Sequence, residues 1–305
     1  MTSAATTSAL AIEAGRRLAG LDPEALAAEY GSPLYVYDAG VLRARAASLR
    51  AAMPPQVDIA YAVKANASPL VLETLAAADL GTDVASGGEL RAVVRAGFDP
   101  ARVVFTGPGK TDLELATALE VGVGALTIES LDELEVVIEL AGTAHPGQGL
   151  VLRLATEGEA EGLLIISAPG NVKFGLTDAE AGEAVSRLRA AGTIEPDGPY
   201  RLLGFHAFGA SNVLEASVLT EGVAELARRA ERIAVAGDLE IELIDAGGGL
   251  GIPYAGDETP LDVEALGEGL AAEMATWADR PGLRQARLLL EPGRWLVGPA
   301  GAYLC

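Results

Sequence analysis

The feature that most constrains the fold is a repeated pattern after residue 57, in which a short apolar run alternates with a longer stretch of helical periodicity. Eight such runs occur: DIAYAVKA from Asp58, GTDVAS from Gly81, RVVFTGP from Arg102, ALTIES from Ala125, GLVLRLA from Gly149, LLGFHAFG from Leu202, ELIDAGGG from Glu242 and RLLLEPG from Arg287. Each is followed by a turn pattern and a stretch rich in Ala, Leu and Glu. Eight successive β-α units predict a closed α/β barrel, a (β/α)8 barrel of the TIM type. A doubly wound open sheet is the competing architecture, since its parallel strands have the same pattern.

Length and charge limit the class of protein and its partners. A chain of 305 residues that is 50% hydrophobic can bury a large core. A formal net charge of −21 repels phosphate backbones and anionic lipids, so we expect neither a nucleic-acid partner nor a membrane surface. No apolar run approaches the roughly 20 residues of a membrane span, and the N-terminus lacks a signal-peptide pattern. We therefore expect a cytoplasmic protein. With one cysteine, Cys305, and two histidines, His145 and His206, we expect no metal site.

Lys64 is the first candidate for chemistry, because the active sites of such barrels lie at the C-terminal ends of the strands. It ends the first run and is one of only three lysines, against 19 arginines. A lysine can lose its proton and attack a carbonyl carbon, which arginine effectively cannot do. The alternative is a structural lysine that extends its ammonium group to water at the barrel rim.

The ends of the seventh and eighth runs indicate a phosphate site. Gly247, Gly248 and Gly249 follow the seventh run, and consecutive glycines let backbone N–H groups approach an anion. Glu291 and Arg294 follow the eighth run, where the carboxylate can hold a cationic ring nitrogen and the guanidinium can bind a phosphate. The alternatives are a flexible turn and a surface ion pair.

The remaining candidates lie at the ends of other runs. The sixth run ends at His206, with Ser211 shortly after, and a lone histidine in an apolar strand is more often part of the core. Asp83 and Arg153 are charged groups within apolar runs, so we expect them to pair across the barrel. FTGPGK, which contains Lys110, lacks the spacing of a nucleotide-binding loop, so we interpret it as a β-α turn.

Several motifs together resemble a known family. YAVKAN, DVASGGEL, FTGPGK, VKFG, GFH, DAGGGLG and EPGR are similar, in order and spacing, to those of the fold-type III pyridoxal phosphate (PLP) decarboxylases, the group of diaminopimelate and ornithine decarboxylases. The match covers about residues 33–305. It implies an alanine racemase-like barrel over residues 39–297. It also implies a second, β-rich domain, to which residues 1–38 would belong. Residues 298–305 would be the start of its C-terminal part, and the rest of that domain would be largely absent from this chain.

The resemblance implies roles for the candidate residues. Lys64 would bond to PLP, His206 would stack on its ring, and Glu291 would keep the ring nitrogen protonated. The phosphate would be bound by Ser211, by the backbone of Gly247, Gly248 and Gly249, and by Arg294. The lysine would be surrounded by Asp83 and Arg153 as a supporting pair, with Glu89 as a weaker candidate. Ala210 stands where the family usually has a glycine, which weakens the assignment of Ser211.

The activity implied by the resemblance is PLP-dependent decarboxylation of an amino acid. Diaminopimelate, converted to lysine and CO2, is the first candidate substrate, and ornithine, lysine or arginine are others. The full-length form would be a homodimer, and a chain without the second domain would expose apolar surface and aggregate. Two alternatives remain: an amino-acid racemase, against which EPGR argues because that branch places an arginine at the ring nitrogen, and a PLP-binding fragment without turnover.

Overall fold

The eight predicted runs form a closed barrel of parallel strands in a computed structural model that describes residues 20–156 and 174–305. The barrel strands are β2 (Val57–Ala62), β3 (Gly81–Val84), β4 (Val103–Phe105), β5 (Ala125–Ile128), β6 (Gln148–Arg153), β7 (Tyr200–His206), β8 (Leu243–Asp245) and β9 (Arg287–Leu290). Each strand pairs with the next, and β9 closes the barrel by pairing Leu288 with Val57 of β2. The predicted (β/α)8 barrel is therefore confirmed, and the open doubly wound sheet is wrong. Residues 1–19 of the N-terminal segment and the first two residues of VKFG lie outside the described residues.

A helix follows each barrel strand, and two further helices precede the first of these strands. The helices are α1 (Pro23–Tyr30), α2 (Ala39–Ala52), α3 (Pro69–Ala76), α4 (Gly87–Ala96), α5 (Asp112–Val121), α6 (Leu131–Glu139), α7 (Asp178–Ala190), α8 (Ala216–Ala236), α9 (Val263–Trp277) and α10 (Arg294–Val297). Thr111 and Thr177 begin α5 and α7 with capping boxes, in which each threonine and the glutamate three residues on satisfy free N–H groups. Across the described part of the chain, no helix is long and apolar enough to span a bilayer.

The buried core has two layers. A large outer cluster packs the helices onto the barrel wall. A small inner cluster fills the barrel with Ala60, Val104, Ala125, Val151 and Leu289. These side chains close the interior, so the barrel is not a pore, and chemistry is confined to its mouth.

A β-bulge in β7 determines where His206 lies. Leu150 of β6 pairs with Leu202 but Val151 pairs with Gly204, so Leu203 is the extra residue of the bulge. Gly204 has a φ of +154°, and a Cβ there would lie 1.9 Å from the carbonyl oxygen of Leu243, so only glycine fits. Beyond the bulge, His206 pairs with Arg153 of β6 and with Asp245 of β8.

The sequence predicts strands outside the barrel in SPLYVYDAGVLRARAASLRAAM, before the first barrel strand, and in WLVGPAGAYLC, after the last, and the structure has a strand in only part of each. Leu34–Tyr37 (β1) and Gly301–Leu304 (β10) pair antiparallel in a separate two-stranded sheet. The expectation that all of SPLYVYDAGVLRARAASLRAAM is strand is wrong, because residues from Ala39 onward form α2. Asp38 caps that helix by accepting hydrogen bonds from the N–H groups of Gly40 and Val41. Trp295, expected in the second strand segment, lies instead in α10.

Candidate active site

A cavity of about 490 Å³ opens at the C-terminal ends of the strands, within the size range of small-molecule sites. Its lining includes six of the predicted site residues: Lys64, Ser211, Gly248, Gly249, Glu291 and Arg294. The other four, Asp83, Arg153, His206 and Gly247, end or follow β3, β6, β7 and β8, whose C-terminal ends surround it. The structure therefore brings the predicted site residues together at one end of the barrel.

Lys64 is held over the mouth by a short 3-10 helix, Val63–Ala65, that follows β2. Its Nζ lies 3.5 Å from Oδ2 of Asp83 on β3 and 5.7 Å from the centre of the Phe208 ring. The lysine side chain is 61% exposed, whereas that of Asp83 is 2% exposed. Partial burial by itself lowers the pKa of Lys64, but the negative charges of Asp83 and Glu291 outweigh it and raise the pKa above its usual value.

Asp83 is a buried acid with a strongly shifted pKa. Burial, followed by the negative charge of Glu291, raises the pKa of Asp83 to about 7, although the nearby Lys64 opposes the shift. Its Oδ1 is buried without a hydrogen-bond partner among the described residues. The carboxyl group therefore titrates near neutral pH and controls the charge that surrounds Lys64.

Glu291 lies directly after β9 and faces His206 at the end of β7. His206 Nε2 and Glu291 Oε2 are 3.8 Å apart, and both side chains are buried. Burial alone would raise the pKa of Glu291, but the neighbouring His206 and the charge of Lys64 lower it. Glu291 is thus an ionised carboxylate inside the barrel mouth.

The glycine loop, residues 247–249, packs so closely against neighbouring backbone that side chains are excluded from it. Gly247 and Gly249 have φ of +63° and +103°, values at which other residues are strained. A Cβ on Gly248 would lie 2.6 Å from the carbonyl oxygen of Glu291, and one on Gly249 would lie 2.7 Å from that of Ala210. The glycines are therefore required by the fold itself, and they leave the cavity wall without side chains at this point.

Hydrogen bonds connect the loop after β7 to the glycine loop and to Ile252 beyond it. Asn212 Oδ1 accepts a hydrogen bond of 3.0 Å from the N–H of Ile252, and the N–H of Val213 donates to the carbonyl oxygen of Gly249 at 2.8 Å. These bonds bring Ser211 into the wall of the cavity that Arg294 also lines. Ala210, the departure from the family pattern, contributes its carbonyl oxygen to the contact with Gly249, which its side chain does not prevent.

Arg153 and Asp83 do not pair with each other, contrary to the sequence expectation. Asp83 pairs with Lys64, and Arg153 Nη1 donates a hydrogen bond of 2.8 Å to Oε2 of Glu129, at the end of β5. Glu129 Oε1 also accepts from the N–H of Gly107 at 2.6 Å. Arg153 pairs with Glu129 because the register of β5 and β6 places Glu129 next to it, on a neighbouring strand.

FTGPGK is a β-α turn, as predicted, but its lysine has a structural role. Lys110 is fully buried, its Nζ lies 2.8 Å from Oε1 of Glu133, and it donates to the carbonyl oxygens of Gly107 and Thr127. Glu89, the weaker candidate, accepts a hydrogen bond of 2.7 Å from the N–H of Ala85, just before α4. Both residues support loops around the mouth.

Three residues at the mouth were missed by sequence reasoning: Asp245, Glu129 and Phe208. Asp245 is fully buried at the end of β8, and Glu129 is buried at the end of β5. Both are acids at the C-terminal end of an apolar run, the same pattern that singled out Asp83, so the sequence contained the information for two of the three. Phe208 has no comparable pattern.

The residues at the mouth fit pyridoxal phosphate. Two buried polar atoms, Asp83 Oδ1 and His206 Nδ1, have no partner among the described residues, as expected of groups that meet a polar ligand. The glycine loop offers backbone to an anion, and Arg294 lines the same cavity. Lys64 supplies a primary amine, the group that can bond covalently to the aldehyde of pyridoxal phosphate.

A second cavity of about 750 Å³ lies between α8, α9 and the loops after β7 and β8. Its lining is largely apolar, with the ion pair of Arg229 and Asp178 at one side. Lys64 and Glu291 are not among its lining residues, whereas both line the smaller cavity. The smaller cavity is therefore the one that contains the reactive groups.

The chain is similar to known proteins over most of its length. Residues 39–298 match the sequence model of the "Pyridoxal-dependent decarboxylase, pyridoxal binding domain". The chain is 34% identical over 285 residues to a diaminopimelate decarboxylase of Zymomonas mobilis and 34% identical over 290 residues to one of Methanothermobacter thermautotrophicus. These alignments cover 92% and 94% of this chain, which spans 64% and 65% of the two relatives. A structure of diaminopimelate decarboxylase from M. jannaschii in complex with L-lysine superposes with a TM-score of 0.81 at 27% identity, covering 93% of this chain and 66% of that one.

Proposed function

This chain belongs to the pyridoxal-dependent decarboxylase family, and we propose that its barrel mouth is the site of PLP-dependent decarboxylation of an amino acid. Pyridoxal phosphate, the cofactor predicted from the sequence, is confirmed by the family match. The observation that carries the proposal is that Lys64, paired with Asp83, and Glu291, paired with His206, face one cavity beside the glycine loop.

The proposed roles follow from the charges at the mouth. Lys64 holds the cofactor through its amine, and Asp83 holds the lysine in place. Glu291, kept ionised by His206, holds a proton at the ring nitrogen. Bound PLP supplies an electron sink for the carbon that loses CO2. Buried His206, next to Glu291, would stack its flat ring on the cofactor.

The part of the cavity beside the glycine loop is suited to the phosphate. Ser211, Gly248, Gly249 and Arg294 line it, and the bonds between the two loops fix their spacing. A hydroxyl, backbone N–H groups and a guanidinium are all donors, which suits a dianionic group. These contacts would keep the cofactor in one orientation, and the scissile bond aligned with it. Arg153, held by Glu129, and Gly247 support this arrangement.

Diaminopimelate is the proposed substrate, because the relatives at 34% identity are diaminopimelate decarboxylases. The relative from M. jannaschii binds L-lysine, the product expected of that reaction. Ornithine, lysine and arginine are the competing substrates. A racemase is disfavoured because an acid, Glu291, rather than an arginine lies at the place proposed for the ring nitrogen.

We further propose that β1 and β10 belong to a second domain and that the active protein is a cytoplasmic homodimer. The two strands form a sheet of their own, outside the barrel. Tyr35 and Tyr303 stack across it with ring centres 4.6 Å apart and are 70% and 52% exposed. Exposed aromatic rings on a two-stranded sheet are suited to further strands or to a partner subunit.

The first experiment is covalent labelling of the lysines. The purified chain is mixed with PLP and reduced with borohydride, and the pyridoxyl group is located by peptide mass spectrometry. Label is expected on Lys64 and not on Lys110, whose side chain is 0% exposed. A Lys64→Arg variant, which keeps the charge, is the matched control. The same amount of label on the Lys64→Arg chain would refute the assignment of Lys64.

The second experiment tests turnover. Release of CO2 is measured with diaminopimelate, ornithine, lysine and arginine as substrates, and interconversion of the two alanine enantiomers is measured in parallel. Release from diaminopimelate alone supports the proposal. Labelling of Lys64 without any product would instead favour a PLP-binding protein without turnover, and alanine racemisation would favour the racemase.

A further inference from the structure

Asp245 is a buried acid that has no role in the proposed function. It ends β8 directly before the glycine loop, and its side chain is fully buried. Its Oδ1 accepts a hydrogen bond of 3.0 Å from the N–H of Gly247. Its Oδ2 is also buried but has no partner among the residues that the structure describes. An ionised carboxylate with an unsatisfied oxygen in such a place would be costly.

Glu291 has a matching free oxygen nearby. Its Oε1 is buried and likewise has no partner in the described ranges. One carboxylate oxygen of Asp245, one of Glu291 and a ring nitrogen of His206 all lie within 4.8 Å of one another. Two buried carboxylates this close cannot both be ionised without strong repulsion, so one of them carries a proton.

The surroundings decide which acid holds that proton. Glu291 faces His206 at 3.8 Å and feels the charge of Lys64, both of which favour its ionised form. Asp245 has a backbone N–H on one oxygen and feels the negative charges of Glu291 and Asp83. Burial, followed by the charge of Glu291, raises the pKa of Asp245 well above its usual value, whereas the pKa of Glu291 is lowered. The proton therefore belongs to Asp245.

We propose that Asp245 is neutral in the folded protein and donates a hydrogen bond through its carboxyl proton to Glu291, which keeps Glu291 ionised and fixes its orientation. Asp245 is then a positioning residue that acts through Glu291. Its effect on the cofactor rests on the proposed function, in which Glu291 faces the ring nitrogen, but the protonation state itself does not.

The first test uses the chain without added cofactor. Infrared difference spectra at neutral pH compare the wild-type protein with Asp245→Asn. The wild type should show the carbonyl stretch of a protonated carboxylic acid that the variant lacks. If the band lost in the variant is instead that of an ionised carboxylate, the proposal is overturned. This result is valid whether or not the chain binds PLP.

The second test separates the contact with Glu291 from the support of the glycine loop. In Asp245→Asn, the amide can donate to Glu291 and still accept from the N–H of Gly247. In Asp245→Ser, the shorter hydroxyl can accept from Gly247 but cannot reach Glu291, and Asp245→Ala does neither. Circular dichroism verifies that each variant is folded.

Affinity for PLP, measured by absorbance titration, is the readout. The loss should stay within about threefold for Asp245→Asn and reach about tenfold or more for Asp245→Ser and Asp245→Ala, the size expected for one hydrogen bond to a charged group. If Asp245→Ser binds as well as Asp245→Asn, Asp245 only caps the loop, and the proposal is overturned. If the wild-type chain does not bind PLP, the proposed function fails, and the infrared spectrum still decides where the proton lies.

Discussion

Replacing Asp83 with asparagine should make Lys64 a better nucleophile. Asparagine is nearly the same size as aspartate, so the main change is the loss of a negative charge 3.5 Å from Nζ. What remains around Lys64 is partial burial, which favours the neutral amine, and the more weakly acting charge of Glu291, which opposes it. The pKa of Lys64 should therefore fall, and the fraction of free amine at a fixed mildly alkaline pH should rise.

The size of the effect follows from the distance and the exposure. Coulomb's law at 3.5 Å with an effective dielectric constant near 20 gives about 5 kcal/mol, and full exposure to water would reduce this to about 1 kcal/mol. Because the lysine side chain is 61% exposed, the lower half of this range applies, about 1.4 to 2.7 kcal/mol. This corresponds to a roughly tenfold to hundredfold rise in free amine.

The assay is competitive reductive methylation with formaldehyde at about pH 8.5, below the ordinary lysine pKa of about 10.4 and above that of Asp83. Peptide mass spectrometry reports the rate at Lys64 relative to added N-acetyl-lysine. Asp79→Asn is the matched control, because it removes the same charge from an exposed side chain before β3, at the opposite end of the strand. A Lys64 reactivity that is unchanged or lower in folded Asp83→Asn would contradict the reasoning.

Three further predictions concern stability. Burial raises the pKa of Asp83 to about 7, against about 3.9 in the unfolded chain, so the folded state binds a proton that the unfolded state releases. This stability is lost as the pH rises through about 7, and urea midpoints should fall from about pH 6 to 8, less so in Asp83→Asn; an equal fall in both would show that Asp83 is not the group responsible. Glu129→Ala leaves the guanidinium of Arg153, 13% exposed, without its carboxylate and should cost about 3 to 5 kcal/mol in urea unfolding, whereas a loss below about 1 kcal/mol would show that the pair is dispensable. Gly267→Ala places a Cβ 1.9 Å from a carbonyl oxygen of α2 and should destabilise by about 1 to 3 kcal/mol, while Gly182→Ala, with open space around it, should stabilise by about 0.5 to 1 kcal/mol; thermal melts that rank the two the other way would overturn the packing argument.

The sequence by itself determined the barrel and the end of it at which the candidate site residues meet. All eight strands could be predicted, because a buried parallel strand between helices has a local pattern of apolar and turn residues. The barrel rule then placed Lys64, Asp83, His206 and Glu291 at one mouth, since parallel strands all end on the same side. The start of α2 was misread although Asp38 is a good N-cap, because the apolar run of β1 immediately precedes it.

Only the tertiary structure decided which charged groups meet. Arg153 pairs with Glu129 rather than with Asp83, and a carboxylate oxygen of Asp245 lies within 4.8 Å of one of Glu291. The registers of β5 with β6 and of β8 with β9 set these distances. Each partner comes from a different strand, tens of residues away along the chain, so no local pattern specifies the pairing. The directions of the pKa shifts follow from the same geometry, since burial and the nearest charges, rather than residue type, raise the pKa of Asp83 and Asp245 and lower that of Glu291.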